Sequence, residues 1–190
     1  MLKRETRNDY LGCTPTSLII SAMNDSIAQH FLELSAGRLE LLSSRIDDCL
    51  GRLTHEQLWW RGAESQNAVA NLVLHLCGNL RQSTAAIVNQ PDARDRDREF
   101  ASRLSASTDE LRQLLKTTVT ATIDAIRKLP PTRLTEIIHV QNNDRQIMQL
   151  IYIVVGHFAE HTGQVIYATK LMTSQDLGYF AHLNKPKAKG

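Results

Sequence analysis

The stretch that decides the fold is QIMQLIYIVVGHFAEHTGQVIYATKLM, residues 146–172. Apolar residues recur in it at helical spacing and no proline interrupts it, which predicts one long helix over about 145–172. Two histidines, His157 and His161, lie within this otherwise apolar surface. Because an α-helix turns by about 100° per residue, side chains four positions apart lie on the same face. The stretch therefore predicts a helix that points two imidazole rings at one place, on a stripe that faces into the core and also contains Leu150, Ile153, Gln164 and Ala168.

A first helix is predicted over about 26–50. Asp25 or Ser26 would cap its start, and Gly51 suits its end. One apolar stripe is expected to face the core, formed by Ile27, Phe31, Leu34, Leu41, Leu42 and Ile46. Residues 1–24 are predicted to be a poorly ordered extension, because their apolar run is too short for a secretion signal or a membrane span.

Two further helices are predicted over about 65–89 and from Ser107 or Thr108 to 129, ended by Pro91 and Pro130. The first connection contains two tryptophans, which are expected to cover one end of the core. Two long connections follow the second and third helices. PDARDRDREF (91–100) alternates in charge and is expected to be solvated or paired internally. RLTEIIHVQNND (133–144) predicts a short extended or hairpin-like connection.

Four long helices with little strand signal predict an all-α four-helix bundle with long crossover connections. The bundle is expected to occupy 25–183 as one domain, followed by a flexible basic tail over 184–190. The net charge is only +2. The sequence has no basic run with interleaved aromatic residues, so it gives no sign of nucleic-acid binding. Three cysteines without a C-x-x-C motif favour a reducing compartment, so the cytoplasm is the expected location.

His75 supplies a third histidine, in the middle of the second predicted helix. Three neutral imidazoles from two helices would form a metal site that leaves a coordination position open for water or substrate. His139 is a more distant candidate for a fourth ligand, and Cys77 points away from His75 by helix geometry. The letters HFAEH also match the H-x-x-E-H pattern of inverted zincins, but Asp176 is the only side-chain carboxylate downstream that could complete such a protease.

Four strings are together similar to the DinB/YfiT-like superfamily, with the closest likeness to an uncharacterised bacterial subfamily of damage-inducible DinB-like proteins. They are LVLHLCGNLRQ (72–82), RDRDREF (94–100), HFAEHTGQVIYATKLM (157–172) and QDLGYF (175–180). The likeness covers nearly all of residues 26–181. It implies a four-helix bundle, often dimeric, with a divalent metal on His75, His157 and His161. Related members are transferases or isomerases that use low-molecular-weight thiols such as bacillithiol or mycothiol.

These observations favour a metal-dependent enzyme that activates a low-molecular-weight thiol, or water, for transfer to a small electrophilic substrate. It would be a thiol S-transferase or a hydrolase, with Asn79 and Gln164 as candidates for orienting ligands or substrate. Zinc or nickel is the expected metal, with iron and manganese as further candidates. A homodimer without nucleic-acid or membrane partners is expected. The alternative is a non-catalytic metal-binding or stress-response dimeric bundle.

Overall fold

Four long helices account for most of the computed structural model, which describes residues 15–103 and 105–183. The long helices are α1 (Pro15–Arg52), α3 (Val69–Ile87), α5 (Thr108–Arg127) and α6 (Ile147–Thr173). The short elements are α2 (His55–Trp59), α4 (Arg96–Ala101), strands β1 (Ile137–Val140) and β2 (Asn143–Gln146), and single 3₁₀ turns at Pro131–Thr135 and Ala181–Leu183.

The long helices pack as two diagonal pairs around one apolar core. Helix α1 packs against α5 and α6, and α3 packs against the same two helices. The connections over 53–68 and 128–146 therefore cross the bundle, whereas 88–107 joins neighbouring helices. The predicted all-α bundle with crossovers is confirmed, although one of the crossovers follows the first helix instead of the second. In the described part of the chain, no helix combines the length and apolarity that crossing a bilayer requires.

Helix α1 is already formed at Pro15, the first residue that the structure describes and ten residues before the predicted cap at Asp25, so the predicted start is wrong. No proline other than Pro15 lies within the helix, and Gly37 is tolerated inside it. Residues 1–14, the rest of the predicted extension, and the tail over 184–190 lie outside the described residues.

Helix α1 carries two apolar stripes where one was predicted. The stripe that faces α5 and α6 contains Leu32, Ala36, Leu39, Leu42, Ile46 and Leu50, all buried. Three residues assigned to the core stripe instead face away from it: Ile27 is 66% exposed, Leu34 60% and Leu41 43%. The predicted stripe mixed the two faces, because apolar residues of both faces recur at three- and four-residue spacing.

Side-chain caps fix the ends of the connections. Thr54 forms a capping box with Gln57 at the start of α2, and the predicted cap Ser107 forms one with Glu110 at the start of α5. Trp59 is buried and donates its indole N–H to the carbonyl of Ala106 at 3.0 Å, which ties two connections together. The expectation that both tryptophans cover the core is correct only for Trp59, because Trp60 is half exposed.

The predicted hairpin is confirmed as the antiparallel pair β1–β2, in which Val140 pairs with Asn143. Its two-residue turn, Gln141 and Asn142, has positive φ at both positions (52° and 59°). This is the backbone of a tight hairpin turn, and asparagine tolerates it better than most residues. The hairpin packs against α3 and α6, so its tip lies beside the histidine-bearing helices.

The segment QDLGYF (175–180) is held against α1 through Tyr179. The phenol O–H donates to the carboxylate of Asp48 at 2.8 Å, with the carbonyl oxygen of Arg45 a second acceptor at 3.1 Å. The guanidinium of Arg45 also lies over the Tyr179 ring, 5.3 Å from its centroid. Burial of the phenol raises the pKa of Tyr179 above its ordinary value. These contacts fix the chain beyond α6 to the first helix.

Candidate metal centre

Three histidines from two helices meet on one side of the bundle. His75 comes from α3, and His157 and His161 come from successive turns of α6. One ring nitrogen from each can be chosen so that all three lie within 4.8 Å of one another. The ring centroids are 4.5 to 5.1 Å apart and the ring planes are nearly perpendicular. The structure therefore brings together the three histidines that the sequence singled out.

The two histidines of α6 lie at the edge of the core instead of inside it. The core-facing side of α6 contains Val154, Phe158 and Val165, which are buried. His157 and His161 are half-buried, and Gln164, on the predicted inward stripe, is exposed. The inward stripe was therefore assigned wrongly by part of a turn, because the apolar surface of α6 is wide enough to leave its centre ambiguous. The edge position leaves these two rings open to solvent on one side.

The tautomer of His75 is fixed by the carboxylate of Glu99. His75 is 5% exposed, and its Nδ1 lies 3.1 Å from Oε2 of Glu99. An unprotonated Nδ1 would direct its lone pair at a carboxylate oxygen, which is repulsive. Nδ1 therefore carries the proton and donates it to Glu99, so the lone pair is on Nε2. This Nε2 faces the other two histidines.

Arg94 neutralises the buried charge of Glu99. Its guanidinium donates from Nε to Oε1 at 2.9 Å and from Nη2 to Oε2 at 2.8 Å, a two-pronged contact that matches the carboxylate. Both side chains are less than a tenth exposed. Oε2 thus accepts from Arg94 and His75 together, which explains why Nη2 and Nδ1 lie 3.0 Å apart as two donors around one acceptor.

Gly78 provides the space for this carboxylate. A β-carbon at position 78 would lie 1.7 Å from Oε1 of Glu99 and 2.6 Å from its carboxyl carbon. Glycine in a helix interior costs about 0.5–1 kcal/mol relative to alanine. The cost is offset here because no other residue lets the carboxylate pass so close to the helix backbone of α3.

Polar side chains hold the connection that carries Glu99. The amide of Asn71, fully buried, donates to the carbonyl oxygens of Glu99 at 2.9 Å and Ser102 at 3.1 Å. Arg61 donates to the side-chain oxygen of Asn71 and to the carbonyl of Ser102. The expectation that the charges of the 91–100 connection are solvated or paired internally is therefore correct, since Arg94 and Glu99 pair with each other and its other charged residues are exposed.

The nitrogen positions fit a bound divalent ion. Nε2 of His75 and Nε2 of His157 are 3.0 Å apart. Two nitrogens each about 2.0–2.1 Å from one ion would be roughly 3 Å apart, so one ion can contact both. His161 directs Nδ1 at the side-chain oxygen of Gln164, 2.8 Å away, which leaves its Nε2 lone pair for a ligand. Gln164 thus contacts His161, and its role in orienting that ring stays a prediction.

Two of the three imidazoles have a lowered pKa, which suits them to bind a metal ion. Burial lowers the pKa of His75 to about 4, although the hydrogen bond to Glu99 opposes the shift. Burial also lowers the pKa of His157, and the positive charge that His161 would carry lowers it further. Both imidazoles are therefore neutral near pH 7, the form that binds metals. The donor set of three imidazoles suits zinc, nickel or iron better than calcium or magnesium.

The remaining candidates lie elsewhere. His139 is exposed and bonds Asp144 across the hairpin at 2.8 Å, so it does not reach the three histidines as a fourth ligand. Glu160 is exposed, and no carboxylate joins the three histidines in the described part of the chain, which removes support for the protease pattern. Cys77 is buried away from the site, and burial raises its pKa to about 12, so its thiol is not a nucleophile.

The sequence of residues 26–188 matches the family described as "Protein of unknown function (DUF1572)". The match spans most of the chain. The protein belongs to this family. No curated protein sequence matches the chain.

A cleft of about 470 Å³, with several polar side chains in its wall, opens beside His75 and His157 of this DUF1572 protein. Asn79 lies in its wall, one turn of α3 beyond His75, as its proposed role requires. The hairpin tip reaches the same cleft, because Gln141 donates to Gln82 at 2.6 Å and Gln82 accepts from Arg94 at 3.0 Å. The residues that line the cleft are His75, Asn79, Gln82, Arg94, Arg96, Gln141, Ile153 and His157.

A double-mutant cycle tests the coupling of Gly78 to Glu99. Gly78→Ala should lower the free energy of unfolding by about 1–3 kcal/mol, because the new methyl group forces the carboxylate away from Arg94 and His75. In a Glu99→Ala background the same change should cost little, since the carboxylate is gone and only Nε of Arg94, at the end of a flexible side chain, would lie 3.2 Å from the new β-carbon. Gly37→Ala is the matched control, because a β-carbon there meets nothing within 4 Å. Equal costs in both backgrounds, measured by urea unfolding, would contradict the coupling.

Proposed function

We propose that this protein is a metal-dependent enzyme that activates a low-molecular-weight thiol, or water, for transfer to a small electrophilic molecule. The observation that carries the proposal is the convergence of three imidazoles, one with its tautomer fixed by Glu99, beside an open cleft with polar side chains in its wall. The sequence likeness to the DinB/YfiT-like superfamily supports a thiol S-transferase, and a hydrolase is the variant that uses water. Within this proposal the protein acts in the cytoplasm.

Each residue of the site would have a separate role. His75, His157 and His161 would hold the ion, and Glu99 would keep His75 oriented with Nε2 toward it. When bound, a divalent ion supplies a Lewis acid that lowers the pKa of a thiol or water. Arg94 pairs with Glu99 and so holds this carboxylate in place against His75. Asn79 lies in the cleft wall, where its side-chain amide would hydrogen-bond to a bound substrate.

The shape of the site favours an enzyme over a metal-binding bundle without activity. A protein that only stores or senses an ion gains nothing from a cavity next to it, and a closed apolar cap would serve better. Here the space beside the histidines is open and lined by amides and guanidiniums. A substrate-sized cavity with a few convergent polar groups is typical of small-molecule sites.

Metal content is the first test. The purified protein, incubated with zinc or nickel and then desalted, should carry about one ion per chain by elemental analysis. His157→Ala should lose it, because two imidazoles bind far more weakly than three. His139→Ala is the matched control and should keep the ion. Glu99→Gln should retain the ion with affinity about 10–100-fold lower, as expected when a ligand loses its orienting carboxylate. A wild-type protein without stoichiometric metal would overturn the proposal.

Thiol transfer is the second test. Bacillithiol, mycothiol and glutathione would be offered with 1-chloro-2,4-dinitrobenzene, whose chloride leaves as the sulfur–carbon bond forms and the thiol proton passes to buffer. A free thiol with a pKa of about 8.5 is only about 3% ionised at pH 7, so ionisation alone allows about a 30-fold acceleration. The metal-loaded protein should reach at least that factor with one thiol, and His157→Ala should not. If the rates with all three thiols equal the background rate, thiol transfer is contradicted and the non-catalytic metal-binding bundle is the remaining interpretation.

We also propose that the protein is a homodimer, joined through the outer stripe of α1. Ile27, Leu34 and Leu41 recur every seven residues and are exposed, which is the spacing of a seam between paired helices. Helix α1 has 38 residues and α5 has 20, so α1 is about 25 Å longer than this neighbour at about 1.5 Å per residue. A second copy supplies the same stripe, as a two-fold interface requires.

Light scattering coupled to size exclusion tests the dimer. The wild-type protein should show twice the chain mass of 21.4 kDa. Leu34→Glu should give the single-chain mass, because a buried carboxylate in the seam has no partner. Val88→Glu, an exposed apolar site at the end of α3, is the control and should stay dimeric. A monomeric wild-type protein would contradict the proposal without affecting the metal site.

A further inference from the structure

We infer that the cleft beside the three histidines binds the carboxylate of a small molecule through Arg96. The inference rests on the proposed function, since it names the class of molecule that would occupy that site. The bound molecule would place its carboxylate on the Arg96 guanidinium and its reactive sulfur or oxygen toward the histidines. Arg96 would act as a specificity-determining residue, not as a catalytic one.

Arg96 is held next to the histidines by an aromatic ring. The guanidinium carbon lies 5.0 Å from the centroid of the Phe100 ring, and the other neighbour of this ring is His75, with centroids 4.7 Å apart. A guanidinium over an aromatic face is attracted to it, and the contact restricts where a long side chain can point. One ring therefore separates the cation from the candidate metal ligand. The backbone of this connection is fixed in turn by Asn71.

The charge of Arg96 is left uncompensated within the cleft. Among the described residues, the Arg96 guanidinium makes no ion pair or hydrogen bond, whereas the Arg94 guanidinium donates hydrogen bonds to Glu99 and Gln82. No carboxylate of the described residues lines the cleft. Outside its wall, Asp92 accepts from the side-chain amide of Gln82, and the exposed Glu160 is near enough to His157 to act on its pKa. A cationic wall without a counter-charge favours an anionic ligand.

A neighbouring cleft shows that this charge pattern is specific to the histidine side. That cleft, of about 450 Å³, lies on the other face of the Arg94–Glu99 pair. Its three arginines are matched by three acidic residues: the cations are Arg81, Arg94 and Arg98, and the acids are Asp92, Asp95 and Glu99. The neighbouring cleft has no excess charge, so it offers no comparable reason to attract an anion.

The single free guanidinium favours a carboxylate over a phosphate. A carboxylate carries one negative charge, and its two oxygens match the two parallel N–H groups of an arginine. A phosphate monoester carries nearly two charges near pH 7, and sites that bind it gather several donors of positive charge. Arg94 also lines the cleft, but its charge is paired with Glu99, and the remaining polar side chains are the imidazoles of His75 and His157 and the neutral amides of Asn79, Gln82 and Gln141.

The test compares three small thiols that differ in charge. Dissociation constants would be measured by ligand-observed NMR for 3-mercaptopropionate, 2-mercaptoethanol and cysteamine, with the full chain both zinc-loaded and metal-free. The anionic thiol should bind at least about tenfold more tightly than the neutral one, the effect of one charge-assisted contact. Arg96→Gln should abolish this preference while leaving the zinc content unchanged. Arg98→Gln, two residues along the same connection, is the matched control and should keep it.

The outcomes separate this inference from the proposed function. If the protein binds no zinc but the metal-free chain still prefers 3-mercaptopropionate through Arg96, the proposed function fails and the carboxylate site stands. If zinc binds but no charge preference exists, or Arg98→Gln lowers it as much as Arg96→Gln, the carboxylate site is wrong. Competition by inorganic phosphate stronger than that by acetate would also overturn it, in favour of a phosphate ligand.

Discussion

The site depends on a carboxylate that is buried inside the bundle. Taking a carboxylate out of water is costly unless cations and hydrogen-bond donors replace the lost solvent. Glu99 meets this condition with two bonds from Arg94 and one from the Nδ1–H of His75. It can approach α3 closely only because position 78 is glycine. Each of these residues is suited to its place only while the others are present, so the group constrains the structure as a unit.

The connections complete a site that the bundle alone would leave unfinished. The long helices supply the imidazoles, but the residues that orient His75 and close the cleft come from the connection over 88–107. The hairpin tip adds a second wall, since Gln141 reaches Gln82 and through it Arg94. Connections of this length need internal support, which Asn71 provides from α3. The bundle fixes where the ring nitrogens are, and the connections determine what surrounds them.

Periodicity in the sequence predicted the helices and the three histidines, but not the group around Glu99. Core-facing spacing is a local property, and the i, i+4 relation of His157 and His161 follows from helix geometry alone. The burial of Glu99 depends on partners 5 and 24 residues away, and an alternating charge run gives no sign of which member is buried. One local signal was available. Gly78 stands inside a helix three residues after His75, where glycine is unfavourable without a packing reason.

The same arrangement explains why one arginine of the connection is free and another is not. Arg96 is the first residue of α4, whereas Arg94 lies in the connection just before the helix cap Asp95, and their side chains make different contacts. Arg94 points into the protein and its charge is cancelled by Glu99. Arg96 remains on the cleft side, stacked on Phe100. With the inner pair neutral, the positive charge in the cleft wall comes from the outer guanidinium, and a divalent ion on the three histidines, as proposed, would add to it. The field of both charges would attract an anionic nucleophile and would also favour its ionisation.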